Sequence, residues 1–275
     1  MRTNLIDFIS KPIDLRPIGI YRIGLGLIIM VSIIAWVPHL NELFSNEGFH
    51  IGPLSSWAPS PKGCIILTVI LSISTLLMTI GAVTRMATLV TLLILTFLYG
   101  IDSINERALS SIILVNLFIG LLSPWGEFYS VSRWRRRQGN VPVRKSLGNP
   151  LALRLWQLQL LQMYFFAGIM KTSYPDWYDG RVLNQIFMGR WSRECGLWLS
   201  EIMPASFYPL LSISSFIFEI ILPGLLMWPK SRRIGVVLGV LFHLSIETTL
   251  YIEFLGFHSM LCLVLFFWPR AIEKQ

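Results

Sequence analysis

Long apolar runs, separated by short polar gaps, dominate this sequence and restrict what it can fold into. A helix needs about 20 apolar residues to cross the hydrocarbon core of a bilayer. The runs that approach this length are 18 to 37, 63 to 82, 86 to 100, 107 to 124, 151 to 171, 207 to 228, 233 to 250 and 252 to 268. With 54% apolar and 14% charged residues, the chain carries more hydrocarbon than one soluble core can bury. The sequence therefore predicts an all-α integral membrane protein.

The runs predict a bundle of about eight transmembrane helices. The third run is short and the last two are almost continuous, so a re-entrant hairpin in place of a crossing would leave about seven. No internal repeat or low-complexity linker divides the chain, and we predict a single membrane domain over residues 1–275. The first run starts after Arg16 and Pro17 and is not followed by a small-residue cleavage site, so we expect it to be retained.

The distribution of Lys and Arg predicts the orientation of the bundle. These residues accumulate in the cytoplasmic loops of membrane proteins. With a cytoplasmic N-terminus, fifteen of the 23 Lys and Arg residues fall in cytoplasmic gaps and six in outer gaps. We therefore expect a protein of a bacterial cytoplasmic membrane with both termini inside. The basic loop from Arg133 to Lys145 would then meet anionic lipid, and nucleic acid is not needed to explain it.

The gap between the fifth and sixth runs is long and rich in aromatic residues. Among its charged residues, the stretch 172 to 205 contains Trp177, Trp191, Trp198, Ile186, Phe187 and Leu197. This composition predicts an interfacial segment of one or two helices that lie flat at the outer membrane surface and cover a pocket. An ordinary aromatic belt would have the same composition, because Trp and Tyr collect at membrane interfaces whatever the function.

A few ionisable residues fall within or beside the apolar runs. Such residues are costly to place in a membrane, which makes them candidates for a functional site. They are Arg22, Arg154, Lys171, Glu219, His243, Glu247, Glu253 and His258. His243 and Glu247 are four residues apart and therefore share one helix face. Apart from the two arginines, the group lies toward the extracytoplasmic half in the predicted orientation.

Lys171 is the main candidate for a catalytic group. It ends a run that also contains Gln162, and the stretch 164 to 170 before it, YFFAGIM, would desolvate its amine. Desolvation favours the neutral amine, which can act as a general base. The alternative is an interfacial lysine whose amine reaches the membrane surface. We interpret Arg22 and Arg154, near the inner ends of their runs, as snorkelling or structural ion-pair residues.

The segment 159 to 180, QLLQMYFFAGIMKTSYPDWYDG, resembles the core motif of the vitamin K-dependent gamma-glutamyl carboxylase family. The family pattern is Tyr-Phe-x-Ala-Gly-x-x-Lys, followed by Trp and Gly. It is matched here by Tyr164, Phe165, Ala167, Gly168, Lys171, Trp177 and Gly180. The carboxylases use this lysine as their catalytic base, so the resemblance implies that role for Lys171. We expect His243 as its polar partner, in a cavity that Gln162 and Trp177 also line.

The rest of the chain resembles the broader horizontally transferred transmembrane (HTTM) domain family, to which the carboxylase membrane region belongs. The similar segments are 15–24, 123–131 and 242–260, so the resemblance covers roughly the whole chain. It implies an all-helical bundle with its active cavity on the extracytoplasmic side. It also implies a reduced quinone as cofactor. In the carboxylases, reduced vitamin K is oxygenated to an epoxide, a glutamate proton is removed, and carbon dioxide adds to the carbanion.

The chain departs from the carboxylases in two respects. We expect it to lack the large extracytoplasmic domain by which they hold their protein substrate. It also has Asn105, Glu106 and Arg107 where they carry a histidine that assists the lysine. The first departure argues against carboxylation of a protein substrate and the second against the oxygenation chemistry, because a shared fold does not fix the reaction.

Three functions are therefore open. The first is a membrane enzyme, similar to a carboxylase or epoxidase, that uses Lys171 as a base on a quinone-like or peptide substrate. The second is a maturation factor without redox activity, with a secreted peptide precursor as its partner, as in sporulation-delaying toxin systems. The third is a small transporter in which Glu219, His243 and Glu247 relay protons or ions.

Metal and disulfide sites have weaker support. The residues considered for a metal are His243, Glu247, Glu253 and His258. No His-Glu-x-x-His or Glu-x-x-His spacing occurs on any run, so we predict no metal site. Cys64 and Cys195 both fall on the predicted outer side, where a disulfide between them would be permitted, whereas Cys262 lies in the last run.

Overall fold

The structure, a computed structural model, describes residues 11–102, 108–142, 146–252 and 254–267, with only the backbone of Ala108 and Phe267. Within these ranges the chain is helical apart from turns, an isolated bridge and one short antiparallel pair. That pair joins β1, Ile13–Asp14, to β2, Leu147–Gly148. The prediction of an all-helical fold is confirmed.

Every predicted apolar run coincides with a helix, and the bounds differ by a few residues. The helices on these runs are α1 (Arg16–Trp36), α3 (Pro61–Ile80), α4 (Thr84–Ile101), α5 (Ala108–Leu122), α7 (Leu151–Thr172), α11 (Phe207–Met227), α12 (Arg232–Thr249) and α13 (Leu255–Phe267). Between them lie α2 (Leu40–Phe44), α6 (Val131–Gln138), α8 (Pro175–Tyr178), α9 (Arg181–Met188) and α10 (Glu194–Ile202).

Four helices, α1, α3, α4 and α11, are long and apolar enough to cross a membrane. Helices α5 and α13 are shorter apolar helices. Helices α7 and α12, with 22 and 18 residues, are at least as long as α4, the shortest of these four. Glutamine, histidine and charged side chains interrupt their apolar sequence. The total of about eight crossings stays a prediction.

The described chain forms two compact units, one up to Arg154 and one from Leu155 onward. In the first unit α1 packs on α3, α3 on α4, and α4 on α5. Helices α1 and α3 approach closely, because Gly26 faces Thr79: a β-carbon on Gly26 would lie 1.9 Å from Oγ1 of Thr79. The prediction of one membrane domain stays a prediction.

Arg22 organises one end of the first unit. Its side chain is fully buried and donates hydrogen bonds to the carbonyl oxygens of Trp125 (2.6 Å), Phe128 (3.0 Å) and Tyr129 (2.7 Å). The turn after α5 is thereby fixed on α1. Arg22 is therefore structural, as we interpreted it, but its partners are backbone carbonyls and it does not snorkel.

In the second unit α12 packs on α11 and α13, and the segment 172–206 folds onto the same helices. Helix α9 contacts α10 and α11, and α10 contacts α12. An apolar cluster of Phe187, Tyr208 and Leu250 joins α9, the start of α11 and the residue after α12. The segment contains three short helices, α8, α9 and α10, where the sequence predicts one or two.

Candidate functional site

The centre of the candidate site is an ion pair between Lys171, near the end of α7, and Glu219, in the middle of α11. Nζ of Lys171 lies 2.6 Å from Oε1 and 2.5 Å from Oε2 of Glu219. The lysine side chain is 21% exposed and the glutamate side chain 9%. The pair is thus largely removed from solvent, although about a fifth of the lysine side chain remains exposed.

A small residue on α7 lets the two helices approach closely enough for this pair to form. A β-carbon on Gly168 would lie 2.7 Å from Cγ1 of Ile220 and 3.0 Å from the carbonyl oxygen of Phe216. Gly168 therefore packs against the backbone of α11 about one turn before Lys171. The glycine of the sequence motif has a packing role, because it sets the distance between α7 and α11.

Trp177, in α8, completes the surroundings of the amine. Nζ of Lys171 lies 4.8 Å from the centroid of the Trp177 ring, within the range of a cation–π interaction. The neighbouring Tyr178 packs edge-on against Phe216, with ring centroids 5.4 Å apart, and its hydroxyl donates to the Thr172 carbonyl. These contacts fix α8 beside the ion pair.

A second polar pair lies on the same face of α7. The hydroxyl of Tyr164 is hydrogen-bonded to Nε2 of His243, in α12. Tyr164 precedes Lys171 by seven residues, which corresponds to two helical turns. Among the described residues, Nδ1 of His243 has no hydrogen-bond partner, although the residue is only 7% exposed. His243 therefore keeps one buried polar atom for a further partner.

Glu247 follows His243 by one turn but belongs to another set of contacts. Its Oε1 accepts a hydrogen bond from the backbone N–H of Gly256 (3.0 Å), at the start of α13. Its Oε2 lies 3.6 Å from a terminal nitrogen of Arg193. The carboxylate thus holds the turn between α12 and α13 and pairs with the residue that precedes α10.

Arg193 makes further contacts at this turn. Its Nε donates to the carbonyl oxygen of Leu250 (2.9 Å), and its guanidinium lies 5.2 Å from the centroid of the Tyr251 ring. Its backbone N–H donates to Thr249, while the N–H of Tyr251 donates to Trp191. The adjacent Ser192 and Leu250 form an isolated β-bridge. Together these bonds fasten the segment 172–206 to the end of α12.

The remaining candidates are not brought into the ion-pair region. Gln162 is exposed and lies on the opposite side of α7 from Lys171, so the predicted role in the cavity is not supported by its position. His258 is buried in α13, with its Nε2 3.7 Å from Sγ of Cys262, one turn later. Glu253 lies outside the described residues, as do Asn105, Glu106 and Arg107.

The thiols and the acidic groups define neither a disulfide nor a metal site in the described ranges. Cys64, fully buried in the first turn of α3, and Cys195, exposed in α10, are both free, so the pairing considered from the sequence is not formed. Among the residues that the structure describes, no three His, Cys, Asp or Glu side chains are grouped in a way that could hold a metal ion.

Outside the apolar helices, Asp179 stabilises the start of α9. It accepts hydrogen bonds from the backbone N–H of Arg181 (3.0 Å) and from its Nε (2.6 Å). The N–H bond and the guanidinium hold the pKa of Asp179 below its usual range. This local pair orients the chain as it leaves α8, which contains Trp177.

The sequence alone indicated only part of this arrangement. Tyr164 belongs to the sequence motif, and its spacing of seven residues from Lys171 puts both on one face of α7, but nothing in the sequence indicates its bond to His243. In the sequence, Arg193 is only one of the six basic residues in the outer gaps. No sequence pattern links it to Glu247, because the two groups are far apart along the chain and meet through the tertiary fold.

The apolar helices and the buried polar pairs between α7, α11 and α12 define an all-helical integral membrane protein with a polar site among its helices. The chain belongs to the HTTM domain family, whose family model matches residues 10–270, nearly the whole chain. The resemblance noted in the sequence is confirmed at the level of the family, which relates the chain to the membrane region of the carboxylases. No curated protein and no solved structure matches the chain.

Proposed function

We propose that this protein is a membrane enzyme in which Lys171 removes a proton from a quinone-like lipid or a peptide substrate. The observation that supports this best is the Lys171–Glu219 pair, which is largely buried although the lysine side chain is still 21% exposed. A purely interfacial lysine would direct its amine into the headgroup region and would not need a buried carboxylate. A buried pair of this kind is costly unless both charges are satisfied, so its presence favours a functional role.

The pair provides a route by which the amine can become a base. A proton that passes from Nζ of Lys171 to a carboxylate oxygen of Glu219 leaves a neutral amine and a neutral acid, and burial makes this transfer less costly than it would be in water. The neutral amine can then accept a proton from a substrate. Trp177 lies against the amine and limits its contact with water, and the contacts of the neighbouring Tyr178 keep α8 in place.

The Tyr164–His243 pair is suited to bind an oxygen atom of the substrate. When the Tyr164 hydroxyl donates to Nε2 of His243, Nδ1 carries the ring proton and can donate to a carbonyl or phenolate oxygen. His243 is buried, so such a bond would form in a low-dielectric environment and be correspondingly strong. Lys171 would then act as base and His243 as the group that orients the substrate.

A reduced quinone is compatible with these residues. The unpaired Nδ1 of His243 is a donor for one ring oxygen, and the amine of Lys171, two turns along α7 from the Tyr164 that bonds His243, can accept a hydroxyl proton. When bound, a quinol supplies an acidic hydroxyl and the electrons for an oxidation. We propose it as the cofactor or substrate class, entering from the membrane between the helices.

The proposed location follows from the basic residues. The arginine-rich α6 and the loop around it fit a cytoplasmic face, with both termini on that side. Lys171 ends α7, a helix that begins after this loop, so its amine would face the extracytoplasmic side. The membrane surrounding the chain would be a bacterial cytoplasmic membrane.

The test compares membranes that contain wild type, Lys171→Ala, Lys171→Arg and the control Lys62→Ala. Lys62 is an exposed lysine at the start of α3, so Lys62→Ala also removes one positive charge, but at a position outside the site. Each preparation receives a reduced naphthoquinone and oxygen, and loss of the quinol is followed by chromatography. In parallel, peptides secreted by cells that carry each variant are compared by mass spectrometry. Correct folding is verified for every variant by gel filtration in detergent.

For a base at Lys171, both substitutions should lower the output by about a hundredfold or more, because a general base contributes that much and arginine cannot become neutral. Lys62→Ala should match wild type. If Lys171→Arg keeps full output while folded, Lys171 acts only through its charge and the enzyme is not supported.

A maturation factor that binds a secreted peptide precursor is the second candidate. It is favoured by exposed apolar side chains on the segment 172–206, among them Met188, Trp191 and Trp198, which offer a surface to a peptide. If the protein is a maturation factor, the secreted peptide should still be modified in cells with Lys171→Arg. Replacement of Trp198 should abolish this modification. A transporter relay has less support, because Glu247 is bonded to Gly256 and Arg193.

A further inference from the structure

A cavity of about 360 Å³ opens at the start of α1, outside the site described above. It lies between Arg16, the turn 128–130 and helix α6, all within the first compact unit. Three arginines line it: Arg16, Arg133 and Arg137. Because arginine presents a fork of donors that matches phosphate oxygens, a cavity with three guanidinium groups is suited to a phosphate ester.

The three arginines are not equally engaged. Arg16 is paired with Asp14, whose Oδ2 lies 2.8 Å from its Nε. Arg133 donates to the carbonyl oxygen of Glu127 (3.0 Å) and its guanidinium lies 5.5 Å from the centroid of the Phe128 ring. Arg137 has no ion pair with any residue that the structure describes. The guanidinium of Arg137 therefore keeps a positive charge that no carboxylate of the described residues offsets, and this charge attracts an anion to the cavity.

Two aromatic residues place the cavity at the surface of the membrane. Trp134, on α6, and Tyr129, in the preceding turn, also line it, and they are 58% and 53% exposed. Exposed Trp and Tyr are typical of the headgroup level, because the apolar ring contacts lipid while its N–H or O–H group reaches water. A cavity between such residues is at the height of lipid phosphates.

An apolar stripe leads from this cavity along α1. The side chains of Ile20, Leu27, Val31 and Ile34 are exposed. Their spacing puts them on the same face of α1 as Arg16, the first residue of the helix. This face runs from the cavity toward the other end of the helix, as an acyl chain would run from a headgroup into the bilayer.

We propose that this cavity binds the headgroup of an anionic phospholipid, with the acyl chains along the exposed stripe of α1. The phosphodiester would accept hydrogen bonds from Arg137 and Arg133, and Trp134 would pack against the glycerol region. A free phosphate would satisfy the arginines but would leave the stripe unused. The neighbouring cavity of about 420 Å³ is a weaker candidate, because its Arg136 is already bonded to both carboxylate oxygens of Glu127.

The test is native mass spectrometry of the full-length protein in detergent, titrated with dioleoylphosphatidylglycerol or dioleoylphosphatidylcholine. Wild type is compared with Arg137→Gln, Arg137→Lys and Arg135→Gln. Arg135 lies on the same short helix but does not line the cavity, so Arg135→Gln is a matched control for the loss of one charge. A fourth arm adds soluble glycerophosphate, which has the headgroup chemistry without acyl chains.

We expect Arg137→Gln to weaken binding of the first phosphatidylglycerol about fivefold, the effect of one arginine near a lipid surface. Arg137→Lys should keep part of this affinity, and Arg135→Gln should stay within about twofold of wild type. The proposal is overturned if Arg137→Gln and Arg135→Gln lose affinity for phosphatidylglycerol equally, since the loss then reflects the total positive charge of α6 and not this cavity. Equal binding of phosphatidylcholine would overturn it too. If glycerophosphate competes as well as the lipid does, the site is for a soluble anion.

Discussion

Both carboxylate oxygens of Glu219 accept hydrogen bonds from Nζ of Lys171, at 2.6 and 2.5 Å, and so join α7 to α11. Replacing one partner leaves the other charge buried and uncompensated. Glu219→Leu should therefore cost about 3 kcal/mol of folding free energy, and so should Lys171→Met. The double variant should recover much of the loss, as measured by thermal unfolding in detergent in a double-mutant cycle. Additive losses in the double variant would show that the two groups are not coupled.

The hydroxyl of Tyr164 is expected to be important for stability as well as for orienting His243. Tyr164→Phe removes the partner of Nε2 and leaves a buried ring nitrogen unsatisfied, at a cost of about 1 to 3 kcal/mol. Tyr178→Phe is the control, because its hydroxyl bond to Thr172 is exposed. Unfolding temperatures of both variants decide this prediction. The prediction is wrong if Tyr164→Phe and Tyr178→Phe have the same unfolding temperature.

Two glycines on neighbouring helices should respond differently to alanine. At Gly168 a β-carbon would meet Ile220 and the Phe216 carbonyl at 3.0 Å or less, so Gly168→Ala should force α7 and α11 apart and cost about 1 to 3 kcal/mol. At Gly224, in α11, a β-carbon would have nothing within 4 Å, so Gly224→Ala should be close to neutral. The comparison is made by unfolding in detergent. Equal effects would mean that the close approach at Gly168 is not needed.

Arg22 should be intolerant of substitution. Arg22→Met removes the donor of three buried carbonyl bonds, so we expect a loss of about 3 kcal/mol or failure to accumulate in membranes. The matched control is Arg233→Met, at an exposed position near the start of α12. Accumulation is measured by gel filtration of a fluorescent fusion. A normal profile for Arg22→Met would contradict the structural role.

Arg193 should hold the segment 172–206 against the end of α12. Arg193→Ala removes the bond to the Leu250 carbonyl and the contact with Glu247, so the backbone at residues 190–200 should open more often. Hydrogen–deuterium exchange in these residues should rise. Arg190→Ala, which removes only a stacking contact with Trp191, should leave exchange unchanged. Equal exchange in both variants would rule out this role for Arg193.

The helices of this fold could be predicted because each crossing of a membrane requires a long apolar run that forms a helix. Every run of sufficient apolar length coincides with a helix, since backbone groups in lipid must be bonded within the segment. The position of Lys171 at the end of α7 followed from the same rule. The segment 172–206 was predicted to be helical from its aromatic and apolar residues.

The partners of the polar residues could not be predicted in the same way. His243 and Glu247 share a helix face, which suggested a common role, but one bonds Tyr164 and the other bonds Gly256 and Arg193. Such pairs depend on which helices pack together and at what rotation. Periodicity gives the face of a helix but not the neighbour that covers it.

The carbonyl groups that bind Arg22 follow it in the chain by 103 to 107 residues. During translation the first span therefore leaves the ribosome long before its acceptors are synthesised. Arg22 lies near one end of α1, six residues after Arg16, so its cost in an isolated span is below the roughly 2.5 kcal/mol of an arginine at the helix centre. Until residues 125–129 are synthesised, the guanidinium of Arg22 can bond only water or lipid groups, so the close contact between α1 and the turn after α5 belongs to a late stage of folding.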